Sequence, residues 1–195
     1  MPKHSSPVTA FSRSLHDAVE TFRALGPLEP GITAAADAVL ACLKSGGKLL
    51  FCGNGGSAAD CAHIATEFTC RFSGDRRPYS GIALTADGGL LTAIGNDYAF
   101  QDIFSRQIRA HGRRGDILIA LTSSGNSRNV LSAIEEARRA GMRTIAFLGK
   151  GGGFTKGAAD IEILVPGTVT ARIQEAQKFL LHALCELVEP GLEKE

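Results

Sequence analysis

Two stretches of this sequence carry residue types at spacings that chemistry can use. The first is Gly53-Asn54-Gly55-Gly56-Ser57-Ala58-Ala59-Asp60, running on to His63 and Glu67. It follows the apolar run Leu49-Leu50-Phe51-Cys52, which reads as a buried parallel strand. A glycine-rich turn feeding a helix gathers free backbone N–H groups at the positive end of a helix dipole, a setting that favours anions; Ser57 is the expected cap. His63 and Glu67 lie four residues apart, hence on one helix face, and suit metal ligation or acid–base work. Such a pair by itself is more often a surface hydrogen bond. The second stretch is Thr122-Ser123-Ser124-Gly125-Asn126-Ser127, at the carboxyl end of the apolar run 116–121. Hydroxyls and backbone donors at that place, with Ser127 opening a helix, can hold a phosphate without lysine.

Other candidates read differently. Gly53 to Ala58 resembles a dinucleotide fingerprint, but its acid would be Asp75, in a polar loop rather than at a strand end. Gly149-Lys150-Gly151-Gly152-Gly153 lacks the Ser or Thr of a phosphate-binding P-loop and reads as a flexible loop. The Arg76-Arg77 and Arg113-Arg114 pairs read as solvated loop charges. Near the C-terminus, Gln174, Glu175 and His182 share one helical stretch. His182 sits among Leu180, Leu181, Ala183 and Leu184, where a histidine is usually a satisfied core residue.

The elements that must position these residues follow from periodicity. Val8, Phe11, Leu15, Val19, Phe22 and Leu25 form one apolar stripe, stopped by Gly26-Pro27. A second helix is expected over 32–43, so residues 7–46 make a helical hairpin. The stripe needs more surface than one helix offers, and the hairpin is expected to pack on another subunit. Strands are expected over 48–52, 80–84, 116–121, 144–148 and 161–165, with helices over 58–68, 100–110, 128–140 and 171–188; 88–95 is ambiguous. Strands alternating with helices predict one domain over residues 1–195, an α/β three-layer sandwich on a parallel sheet.

The 195 residues carry a net charge of +1, which gives no reason to expect a nucleic-acid partner. No apolar run approaches the ~18 residues of a membrane span, and residues 1–6 precede no signal-peptide core. Five cysteines without a CxxC pair fit reduced, mostly buried thiols, and a cytoplasmic location.

Taken in order, Gly53-Asn54-Gly55-Gly56-Ser57, His63, Glu67, Gly95-Asn96-Asp97, Thr122 to Ser127 and Arg172-Ile173-Gln174-Glu175 resemble the bacterial phosphoheptose isomerases of the sugar isomerase (SIS) fold. The resemblance implies a five-stranded parallel, flavodoxin-like sheet, a homotetramer and active sites at subunit contacts. It implies conversion of sedoheptulose 7-phosphate to D-glycero-D-manno-heptose 7-phosphate, the first step of ADP- or GDP-heptose synthesis. By resemblance, Glu67 and His182 are the acid–base pair. Asn54, Gly55, Ser57, Arg71, Asn96, Asp97, Thr122, Ser123, Ser124, Ser127 and Gln174 bind substrate, and His63, Glu67, Gln174 and His182 hold one zinc ion. Ala171 departs from an aspartate of some members, and Gln177 from a common histidine. Gln174 and His182 stand eight residues apart, roughly 12 Å along a helix. A shared ion is therefore expected to span a subunit contact or to use a residue ahead of the regular helix. A rival expectation keeps the fold without the catalysis, as in SIS modules that tether the bacterial replication initiator; the presence of both Glu67 and His182 speaks against it.

Overall fold

The computed structural model describes residues 9–192; Val8, and residues 1–6 weighed as a leader, lie outside it. Five parallel strands, β1 (Leu49–Gly53), β2 (Gly81–Ala83), β3 (Ile117–Thr122), β4 (Arg143–Leu148) and β5 (Ile161–Leu164), form one sheet in the order β2-β1-β3-β4-β5. β1 and β3 are buried at every position, as expected of parallel strands covered on both faces.

Side-chain alternation along the strands divides the core in two. Leu49, Phe51, Ile117, Ile119, Ile145 and Phe147 face a layer made of α2 (Glu29–Lys44), α3 (Gly56–Thr69) and α7 (Thr170–Val188). Leu50, Cys52, Leu118, Ala120 and Ala146 face α4 (Gly88–Asp97), α5 (Ser105–His111) and α6 (Arg128–Arg139). The layering puts α3 and α7 side by side although more than a hundred residues separate them in the chain.

Several boundaries differ from expectation. α2 begins at Glu29, because Pro30 falls in the first turn, where its missing N–H costs no hydrogen bond. The expected helix over 100–110 is broken into a 3-10 turn at Phe100–Asp102 and α5. The first helix, α1 (Ala10–Arg23), does not fold onto α2. Both helices rest chiefly on α7, with Phe22 against Phe179 at 5.2 Å between ring centroids. Arg172 of α7 also donates to the Ser14 carbonyl at 2.8 Å. No residue of α1 is buried. Cys42, Cys52, Cys61 and Cys185 are buried and Cys70 is exposed, all as free thiols.

Candidate active site

The chain leaves β1 toward one face of the sheet, through α3, and leaves β3 toward the other, through α6. That divergence opens a crevice at the carboxyl ends of neighbouring strands, the place where open α/β sheets take ligands. A pocket of about 220 Å³ lies there, lined by Asn54, Ser57, Leu121, Thr122, Ser123, Ser124 and Ser127. All six polar residues were expected at a substrate phosphate. Gly55, with φ +58°, caps α3, so Ser57 is not the cap. Ser57 sits inside the first turn with its side chain on the pocket, and it is buried. Ser127 precedes α6, but its hydroxyl makes no capping bond and pairs with Thr122 Oγ1 at 3.2 Å.

Two features brace this pocket that the residue patterns did not reveal. Asn129, buried in the first turn of α6, exchanges amide hydrogen bonds with Asn54 in both directions, at 2.8 and 2.9 Å. The glycine loop after β4 is not the flexible segment expected. Thr155 is fully buried, and its N–H and hydroxyl both donate to the Gly125 carbonyl, at 3.1 and 2.7 Å. Lys150, Gly151, Gly152 and Gly153 all have positive φ. A Cβ on Gly125 would come within 2.1 Å of the Gly152 carbonyl carbon, so the loops touch backbone to backbone.

The second group lies along the α3–α7 contact. Three pairings repeat at a nearly constant offset: Gln174 packs on Gly56, Lys178 pairs with Asp60 at 3.5 Å, and His182 meets His63. The two helices therefore run parallel. His63 Nε2 is 2.9 Å from His182 Nε2 and 3.4 Å from Glu67 Oε1. His182 is half-buried in this polar cluster, with Phe72 at 6.1 Å on its flank, and is not a sealed core histidine. One chain thus unites the carboxylate and the imidazole expected to act together. Packing of helices in one layer achieves this, a consequence of topology rather than spacing.

Gln174 stands apart from that cluster, against Gly56 at the start of α3. Arg71, Asn96 and Asp97 are exposed and do not line the serine pocket. Asn96 donates to Asp97 at 2.9 Å, and Asp97 borders a separate cavity of about 320 Å³ with Tyr98 and Arg106.

An SIS domain model matches residues 11–149. The phosphoheptose isomerase of Rhodospirillum rubrum is 51% identical over 175 residues, covering 90% of this chain and 93% of its own. The chain belongs to the SIS-domain phosphoheptose isomerase family. The Francisella tularensis phosphoheptose isomerase structure superposes with a TM-score of 0.84 at 40% identity, over 92% of this chain and 94% of that one. The Neisseria gonorrhoeae phosphoheptose isomerase gives a TM-score of 0.80 at 42% identity, over 92% and 95%. Against the zinc implied for this isomerase family, the nitrogen and oxygen donors of His63, His182 and Glu67 are of suitable chemistry. As the side chains stand, the imidazoles bond to each other. No group of three or more His, Cys, Asp or Glu among the described residues is arranged to hold a metal. Gln174, two turns from His182, does not join them within one chain.

Proposed function

We propose that the protein is an aldose–ketose isomerase that converts sedoheptulose 7-phosphate to D-glycero-D-manno-heptose 7-phosphate, opening ADP- or GDP-heptose synthesis. The observation that carries this reading is the meeting of Glu67, His63 and His182 on a helix pair whose other end borders a hydroxyl-lined anion pocket. Ser57, Thr122, Ser123, Ser124 and Ser127 take the phosphate. Gln174 and His182 are about 12 Å apart along α7, on the order of a seven-carbon sugar. Glu67 removes the proton from C1 of the ketose, and the electron pair forms the enediolate. Glu67 then returns a proton to C2, while His182 moves the proton between O1 and O2. No hydride carrier is needed.

In this reading His63, Glu67 and His182 would hold zinc, with Gln174 joining only if a neighbouring copy supplies it. When bound, the metal would polarise the substrate oxygens and offset the charge of the enediolate. Arg71, Asn96 and Asp97 reach the sugar from neighbouring copies in a homotetramer of the cytoplasm. The binding-module alternative predicts ligand capture without turnover, and it leaves the acid–base cluster without a use.

Incubation with sedoheptulose 7-phosphate tests the proposal: aldose product is expected, and its absence with zinc present and with chelator present would defeat it. For the metal, zinc retained after dialysis should fall in His63→Ala. Equal retention would remove His63 from the ligand set.

A further inference from the structure

Arg76 carries a buried charge that the reaction scheme does not use. It lies in the loop after α3 and is 6% exposed. Its guanidinium donates from Nη2 to the Glu67 carbonyl at 2.5 Å and from Nη1 to the Phe68 carbonyl at 3.0 Å. These carbonyls belong to the last turn of α3, where no intrahelical N–H is available. A cation there also complements the helix dipole. On its other side, Arg76 Nε donates to Glu189 Oε2 at 2.9 Å. Glu189 directly follows α7, and its Oε1 accepts from the Ser73 and Gly74 N–H groups at 3.3 and 3.2 Å. One guanidinium therefore grips the backbone of the residue that presents the carboxylate and the end of the helix that presents His182.

We propose that Arg76 and Glu189 are positioning residues that set the spacing of Glu67 and His182 by clamping the carboxyl ends of α3 and α7. The inference rests on the reading of Glu67 and His182 as the acid–base pair. The clamp acts at the end of α3 remote from Ser57, so its loss disturbs proton transfer and leaves the phosphate grip intact. A staple that served stability alone would lower the melting temperature of folded variants and spare their turnover.

The test compares full-length wild type, Arg76→Lys, Glu189→Gln, the double variant and Glu67→Gln, measuring kcat and KM for sedoheptulose 7-phosphate and the pH profile of kcat. Arg76→Lys keeps the charge but not the forked geometry. Glu189→Gln keeps an oxygen for Ser73 and Gly74 and loses the charge. In each, kcat should fall about 10²-fold, the scale of a small misplacement of reacting groups. KM should stay within about twofold, and the acid limb of the pH profile should move. The double variant should be no worse than Arg76→Lys, as members of one unit are not additive. Wild-type kcat in either folded single variant, or a loss confined to KM, overturns the proposal. Glu67→Gln separates the two failures. If it is inactive while Arg76→Lys turns over normally, only the clamp fails; if it keeps its activity, the acid–base reading itself falls.

Discussion

Asn129 shows how a residue remote from the chemistry can decide whether a site exists. Its reciprocal amide bonds to Asn54 tie the turn after β1 to the start of α6, the two walls of the hydroxyl-lined pocket. In Asn129→Ala both Asn54 bonds are lost in a buried setting, at about 1–3 kcal/mol of stability. KM for the sugar phosphate should rise more than kcat falls; steady-state kinetics with a thermal melt would read both, and an unchanged KM would count against the bracing role. Glu67 calls for the opposite signature. Its carboxylate is the group proposed to take the carbon-bound proton, so Glu67→Gln should lower kcat about 10²–10⁴-fold with the fold retained. Near wild-type turnover in that variant would exclude Glu67 as the base.

At the level of elements, the glycine loop and the clamp answer to different measurements. Gly125 has φ +67°, and its Cβ position is already occupied by Gly152 backbone. Gly125→Ala should destabilise by at least about 1–3 kcal/mol and loosen the serine loop, seen as a lower melting temperature and weaker phosphate protection. For Glu189, burial raises the carboxyl pKa, but the Arg76 hydrogen bond and the Ser73 and Gly74 N–H groups outweigh it and hold the group below its ordinary 4.5. A carboxylate with a folded pKa below its unfolded one adds stability above the unfolded value, and that stability is lost as pH falls through the folded value. Thermal melts from neutral pH downward should show a shallower acid loss in Glu189→Gln; parallel curves would contradict the linkage. The same elements mark what the residue patterns could reveal. The runs 49–52, 117–121 and 145–148 are apolar throughout, and the hydroxyl loop stands at the end of one of them, so the sheet and the hydroxyl-lined pocket were legible. Arg76 was not, because its burial depends on Glu189, 113 residues further on. Thr155 was not, because a run of glycines looks the same whether it moves freely or is wedged at positive φ. The His63–His182 contact bridges 119 residues and follows only from both helices sharing a layer.

For the whole molecule, the unresolved term is the apolar stripe of α1. Phe11 is 75% exposed and Leu15 54%, and Val19 and Phe22 continue the same face; among the described residues Phe22 alone of the four packs on a ring, that of Phe179. An amphipathic helix with its apolar face in water is unfavourable for a single chain, and a buried Phe or Leu gains roughly 1.5–3 kcal/mol. A closed assembly of like copies is the economical way to cover it. The assembly also bears on activity, because Arg71, Asn96 and Asp97 are exposed and lie outside the serine pocket of one chain. Wild type should sediment as an oligomer, as the tetramer that the family resemblance implies, and Phe11→Glu with Leu15→Glu should lower the mass and the turnover together. A smaller species with full activity would show each chain to be self-sufficient. Co-expression gives the sharper arm. If Asp97 serves a neighbour's site, mixed assemblies of Glu67→Gln and Asp97→Ala chains contain some sites with both residues intact. Those assemblies should then regain turnover that neither parent has. Mixed assemblies as inactive as their parents would exclude Asp97 from a neighbour's site.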